Sequence, residues 1–367
     1  MKDNNKLSIY YDYLRKRISR DELYSYVPDK VFEKIINEKI SDNSIHDIFN
    51  RIDCIIAKDG FNTVDLIIGG PPCQAYSLVG RAVKNDNMKN DPRNYLYKLY
   101  CRFLKKYQPK MFVFENVPGL KSANNGKHFA NVKKYMMRVG YNVDCKELNA
   151  KDYGVLQSRK RIIIIGWRKD LDLQYPNIDA LEHNYKVRDL FEDLPSIQAG
   201  ESSDHYETNK INSYLKRFNM RSEDDVLSLH IARANSDRDR EIYRIVINYW
   251  NQYNKRIKYI DLPKELKTHK NITSFLDRFK VVADNNQYCH TILAHISKDG
   301  HYFIHPDYKQ ARSISVREAA RIQSFPDNYF FEGSRTAAFT QIGNAVPPLM
   351  ANAIAKAILK KLEELNE

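Results

Sequence analysis

Along residues 64–184, short apolar runs alternate with stretches of helical spacing, as expected of βαβ units and a largely parallel sheet. The runs predict strands at 64–68, 111–115, 142–148 and 161–167. Helical patterns cover 93–107, opened by Asp91-Pro92, and 127–139, closed by Gly140. Upstream, residues 28–58 read as mostly helical, with Ile45, Ile48, Phe49, Ile52, Ile55 and Ile56 on one face. From about 185 to 312 the periods break down, and aromatic and basic residues interleave with polar ones. Regular patterning returns near Ser315 and ends in a helix beginning at Pro347-Pro348, where proline suits the first turn.

Composition narrows the class. With 367 residues, 43% hydrophobic and 29% charged, the chain can fold as one large domain or two moderate ones. No apolar run approaches the roughly 18 residues of a membrane span, and the N-terminus lacks the apolar stretch of a signal peptide. Cys54, Cys73, Cys101, Cys145 and Cys289 form no C-x-x-C pair and no metal-ligand spacing. Scattered thiols of this kind predict a reduced, cytoplasmic protein with no metal and no membrane. A net charge of +13 suits a polyanionic partner, though a solvated lysine-rich surface accounts for it equally well. Over 248–281, eight bases stand against Asp261, Glu265 and Asp277, interleaved with Tyr249, Trp250, Tyr253 and Tyr259. This is the footprint of a nucleic-acid-facing segment or, more blandly, a solvated face.

Candidate chemistry gathers at the strand ends. The run from Val64 to Gln74 carries a strand into Gly69-Gly70-Pro71-Pro72 and then presents Cys73, at the sheet end where open α/β folds bind ligands. A lone cysteine is usually a small buried hydrophobe; the stiff turn and polar Gln74 favour a nucleophile. Glu115 ends a second buried strand, where a carboxylate is expensive unless hydrogen-bonded or catalytic. Arg159 and Arg161 sit at i and i+2 in an extended segment, so both guanidiniums project to one side. Arg317 to Pro326 reads as a short capped helix, and Gln341 to Pro348 as a tight turn into the last helix. Singly, each has a structural explanation as an ion-pair partner or surface charge.

In this order the motifs resemble those of the cytosine-C5 DNA methyltransferase family, from about Val64 to the C-terminus. The resemblance rests on Pro72-Cys73-Gln74, Glu115-Asn116-Val117, Gln157-Ser158-Arg159-Lys160-Arg161, Arg317 to Pro326 and Gly343 to Pro348. It implies an α/β, Rossmann-like S-adenosylmethionine-dependent methyltransferase sheet with a smaller irregular target-recognition domain. The expected boundaries are a catalytic domain over 1–184, target recognition over 185–312 and a return to the catalytic domain over 313–367. It also implies a DNA (cytosine-5-)-methyltransferase acting on a specific double-stranded DNA site, in a restriction-modification system. Cytosine C5 is a poor nucleophile until a thiolate adds at C6, which assigns Cys73. Glu115 at N3 acts as proton donor or strong hydrogen-bond partner. Arg159, with Arg161 in support, holds charge near O2 and lowers the thiol pKa. The target base must flip out of the duplex, with Ser77 to Asn90 as the closing loop. Contacts to S-adenosyl-L-methionine carry over to Pro72, Leu96, Asn344 and Val346, of which Leu96 and Val346 equally suit ordinary core.

One part of the pattern is missing. The family begins with a Phe-x-Gly-x-Gly turn and an acidic residue that hold the cofactor, but Gly60 is the first glycine here. The first ~60 residues instead resemble an insertion between the family's second and third strands. The expectation is an N-terminally incomplete member, with a possible complementing N-terminal chain. The alternative function is an inactive or split-enzyme remnant that binds DNA but needs a second chain for the cofactor. The Cys-Phe-Thr signature of RNA-modifying relatives is absent.

Overall fold

A computed structural model describes residues 4–71, 95–268 and 276–365. Pro72, Cys73, Gln74, the Asp91-Pro92 helix opening and the expected loop Ser77 to Asn90 lie outside the described residues. The chain divides into two compact units: one of Tyr24–Asn149, Lys160–Ile178 and Ile354–Glu367, the other of Met1–Leu23, Ala150–Arg159 and Asp179–Ala353.

The first unit is built on a sheet of β1 (Leu66–Gly69), β2 (Met111–Asn116), β3 (Tyr141–Asn149) and β4 (Lys160–Arg168), in the order β1-β2-β4-β3. β1 and β2 are parallel, with Leu66 opposite Met111 and Gly69 opposite Phe114. β4 lies antiparallel between β2 and β3. The sheet is therefore mixed, not largely parallel: β1, β2 and β3 point one way and β4 the other. The connection 150–159 returns the chain beside the end of β3, pairing Asn149 with Lys160, so β4 has to run back along it. As an inner strand β4 is apolar between its charged ends, and Ile162, Ile163, Ile164 and Ile165 are fully buried.

Three helices support this sheet. Between Glu33 and Ile45 the expected helix is interrupted, and regular structure resumes as α1 (Ile45–Lys58), with Ile45, Ile48 and Phe49 buried. α2 (Leu96–Tyr107) buries Tyr97, Tyr100, Cys101 and Leu104, one stripe at i, i+3, i+4 and i+7. Phe49 packs edge-on against Phe103 and Tyr107, while Lys106 pairs with Asp53 on the surface above. α3 (Lys127–Arg138) buries Val132 and Met136 and is followed by Gly140, whose φ of 106° favours glycine. The core joins α2 and α3 to Phe112, Phe114, Tyr141, Ile162 and Ile164, while α1 packs on α2 through Phe49.

The second unit has little sheet. Its main core draws on Leu156, Val187, Leu215, Ile292, Phe303, Ile322, Phe339 and Ile342 among others, so residues from 185–312 and from 313–353 share one interior. A second cluster surrounds α4 (Asp237–Tyr253), using Tyr243, Val246, Phe279 and Ile304. At the centre of the unit is α5 (Val316–Ile322), every residue of which is buried. Ser315 and Glu318 cap it reciprocally. Arg312 holds Glu318 bidentately at 2.7 and 2.8 Å, and Arg321 joins Asp193 and Asp327 at 2.5 Å each. Burial alone would push the Glu318 carboxyl up, but Arg312 and His305 outweigh it and hold it well below its ordinary value. The N-terminal helix Asn4–Leu14 is fastened by Tyr10 to the Asn328 carbonyl, Tyr11 to Asp225 and Tyr13 to Glu332.

α6 (Arg335–Asn344) and α7 (Pro348–Glu363) follow. The turn expected at Gln341 to Pro348 is thus shorter, because Gln341 to Asn344 belong to α6. By length and composition Arg335–Glu363 is apolar enough to cross a membrane, which no single apolar run had indicated. It is two helices, however, interrupted where Ala345 turns extended at ψ 151°.

Candidate active site

In the sheet unit, β1 delivers the chain to Gly69, Gly70 and Pro71, the last described residues before Cys73. Close approach requires glycine at 69 and leaves little room for a side chain at 70. A Cβ on Gly69 would lie 2.5 Å from the Tyr100 ring, and one on Gly70 would lie 3.1 Å from a Glu115 carboxylate oxygen. Tyr100 donates its hydroxyl to the carbonyls of Val113 and Ile67, at 3.0 and 3.2 Å, and so bridges β2 and β1. The Asn116 side-chain amide donates to the Pro71 carbonyl at 3.3 Å, while its oxygen accepts the Val117 N–H at 2.9 Å. The turn leading to Cys73 is therefore tied to Glu115 and Asn116.

Glu115 sits where the end of β2 meets the start of β4, opposite Ile163. Arg161 places its Nε 2.8 Å from Glu115 Oε1, with the two side chains only 11% and 19% exposed. Its Nη1 also donates to the Lys160 carbonyl at 2.8 Å. Burial lowers the Arg161 guanidinium from its ordinary value, with Glu115 opposing, and it stays charged. The counter-charge is what makes a carboxylate tenable at the end of an otherwise enclosed strand.

Arg159 belongs to the other unit and is fully buried. Its guanidinium donates to the carbonyls of Ile292, Gly343 and Ala345 at 2.7 to 2.9 Å. Gln157 donates to the Ile322 carbonyl and to Gln323, and accepts the Ile292 N–H. Gln323 in turn donates to the Ile342 carbonyl. The segments Gln157–Arg159, Arg317–Pro326 and Gly343–Pro348 are thus wired together through buried amides and a guanidinium. Sequence reasoning placed both arginines on one task; in the structure Arg161 meets Glu115, while Arg159 gathers backbone carbonyls. Asn344 is exposed at the end of α6 and Val346 is half-buried just beyond it.

A pocket of about 530 Å³ opens in the sheet unit at the carboxyl end of β1, lined by Ile40, Ile68, Gly69, Leu96, Leu99 and Phe103 among others. Its walls are mainly apolar, and its size suits a small-molecule ligand. Among the described residues, no three His, Cys, Asp or Glu side chains cluster as metal ligands.

The family model for C-5 cytosine-specific DNA methylases matches residues 29–360. The chain belongs to this family. The methylase is 41% identical over 393 aligned residues to the type II methyltransferase M.Bpa9945I of Bacillus paralicheniformis, covering 98% of this chain and 88% of that protein. It is 34% identical to the type II methyltransferase M1.HphI of Haemophilus parahaemolyticus, over 81% of this chain and 68% of that one. Among solved structures, a DNA modification methyltransferase encoded within an E. coli prophage aligns with a TM-score of 0.59 and 26% identity, over 86% of this chain and 83% of that one. The methylase fold is thus the Rossmann-like one that its motifs implied.

Sequence reading singled out Leu96 but missed Leu99, Tyr100 and Phe103, which share the pocket with it. The signal was present: with Leu96 they stand at i, i+3, i+4 and i+7 of α2, a single helical stripe. The Asn116 tether had no such signal, since its partner is a backbone carbonyl.

Proposed function

We propose that this methylase transfers a methyl group to C5 of a flipped cytosine at a specific double-stranded DNA site, as the modification enzyme of a restriction-modification system. The observation that carries the reading is the Glu115–Arg161 pair, set against the Gly70-Pro71 turn that leads into Cys73. Cys73 is assigned as the nucleophile: its thiolate adds to cytosine C6, and the ring electrons move toward C5 and N3. Glu115 takes N3, by proton donation or a strong hydrogen bond, and Arg161 fixes the carboxyl and offers charge beside it. Arg159 is assigned a supporting role, holding the Gly343–Ala345 backbone in place. When bound, S-adenosylmethionine supplies the electrophilic methyl group that C5 receives. Loss of the C5 proton then restores the double bond and expels the Cys73 thiolate.

The apolar pocket fits the cofactor's adenosyl part. Leu96, with Ile40, would hold a flat ring, and the glycine turn allows close backbone approach. Pro72, Asn344 and Val346 remain assigned to the cofactor by motif. Residues 185–312 are assigned to target recognition. The reading requires no complementing chain, and its site of action is the cytoplasm, where the DNA is.

Purified protein incubated with duplex DNA and radiolabelled S-adenosylmethionine is expected to yield 5-methylcytosine on digestion. Calorimetric titration with S-adenosylmethionine separates this from a DNA-binding remnant. Micromolar binding supports the enzyme; DNA binding without cofactor binding supports the remnant.

A further inference from the structure

Lys280 and Arg256, both half-buried, stand over the same Tyr302 ring, with charge centres 5.5 and 5.4 Å from its centroid. The ring is held by His290, which packs edge-on against it at 5.4 Å and hydrogen-bonds the Tyr302 carbonyl through Nε2 at 2.7 Å. His290 is itself stacked on Phe303 at 5.3 Å. Lys280 is fixed by its backbone, donating to the His301 carbonyl and accepting from the Ile304 N–H. The platform is therefore built, not a chance meeting of surface side chains.

Its charge is unbalanced. The groups facing Lys280 are Arg256, Asp277, the Cys289 thiol and His290. Asp277 is already engaged by Arg256, at 3.4 Å, and is 66% exposed. Burial keeps His290 neutral, down to about 3, and pushes the Cys289 thiol up to about 12, so neither carries charge near neutrality. Among the described residues the Lys280 ammonium has no carboxylate or carbonyl partner. Burial, with Arg256 adding to it, brings Lys280 down to about 8. Two cations at one ring, with a single exposed carboxylate to share, are costly until a further anion arrives.

The geometry points to a phosphate clamp: Lys280 and Arg256, positioned by Tyr302, grip one phosphodiester of the DNA backbone. This rests on the methylase reading, since DNA is the polyanion that reading supplies. An anion lodged there stabilises the charged ammonium, so binding takes up a proton as the pH rises toward about 8 and beyond. The contact carries no base information, so its loss weakens every duplex alike.

The test is fluorescence anisotropy with a labelled duplex, from about pH 7 to about pH 9 and over a range of salt. The wild-type protein is expected to lose affinity across that pH range. Lys280→Gln should bind about tenfold more weakly at the lower pH, with a salt slope smaller by about one. Lys280→Arg should keep the affinity and lose the pH dependence, which a merely structural lysine would not produce; melting curves confirm that both variants fold. Lys280→Gln binding with wild-type affinity and salt slope would overturn the clamp while leaving the methylase reading intact. Competition by inorganic phosphate that matches or exceeds the duplex would also overturn it, marking a site for free phosphate. Wild-type protein that binds no duplex would overturn both.

Discussion

The Glu115 carboxylate stands next to last in a strand whose other five residues are enclosed, and Arg161 stands 2.8 Å from it. Replacing Glu115 with glutamine keeps the shape and removes the acid. Steady-state methyl transfer should fall about 10²- to 10⁴-fold, the range for one acid–base group, with DNA affinity retained. Arg161→Ala strips the carboxylate of its counter-charge and should cost more activity than Arg161→Lys, which loses the planar guanidinium but keeps a positive charge. Equal activity for these two variants would show that Arg161 only fills space. The identity of these residues was legible in the sequence, since motif order picks them out. Their division of labour was not. Arg159 and Arg161 are equivalent by spacing, and only the partners they find, in two different units, separate the carbonyl-binding arginine from the carboxylate-binding one.

At the scale of elements, α5 and α6 show how motifs far apart in the chain become one structure. Gly343 lies inside α6, where a Cβ would come within 2.2 Å of the Ala294 backbone nitrogen. Gly343→Ala should therefore destabilise by about 1–3 kcal/mol or more, read as a lowered melting temperature, since backbone cannot yield as a side chain does. Arg321→Met should destabilise by up to about 3–5 kcal/mol, because it removes the cation that Asp193 and Asp327 share and leaves them only Arg221 and the more distant Arg317. Strands β1 to β4 and helices α2 and α3 were readable as elements because their apolar periods are clean. The antiparallel placement of β4 was not, since periodicity carries no direction. Nor was the burial of Arg312, Arg317 and Arg321, which look like solvated charges until the groups that pack around them are known.

For the molecule as a whole, stability should decline in mild acid. Burial, reinforced by nearby cations, holds His290 down to about 3 and His305 down to about 4, and His230 is lowered too. Below the unfolded value of 6.5 the unfolded chain binds protons that the folded protein refuses. The stability these histidines contribute is fully present above that pH and drains as the pH falls toward their folded values. Near pH 5 the loss should be about 2 kcal/mol for each deeply shifted histidine, seen as a lower melting temperature than at neutrality. An unchanged melting temperature would mean that these side chains titrate normally.

The central claim concerns Cys73, which the described residues approach as far as Pro71. Cytosine carrying fluorine at C5 cannot lose that substituent as a proton, so an attacking enzyme stays joined to the base. Incubated with S-adenosylmethionine and duplex DNA containing 5-fluorocytosine, the wild-type protein should give a denaturation-resistant protein–DNA band, and Cys73→Ala should give none. A band that persists in Cys73→Ala, or its absence from wild-type protein that binds both DNA and cofactor, would contradict the assignment of Cys73 as the cytosine-attacking nucleophile.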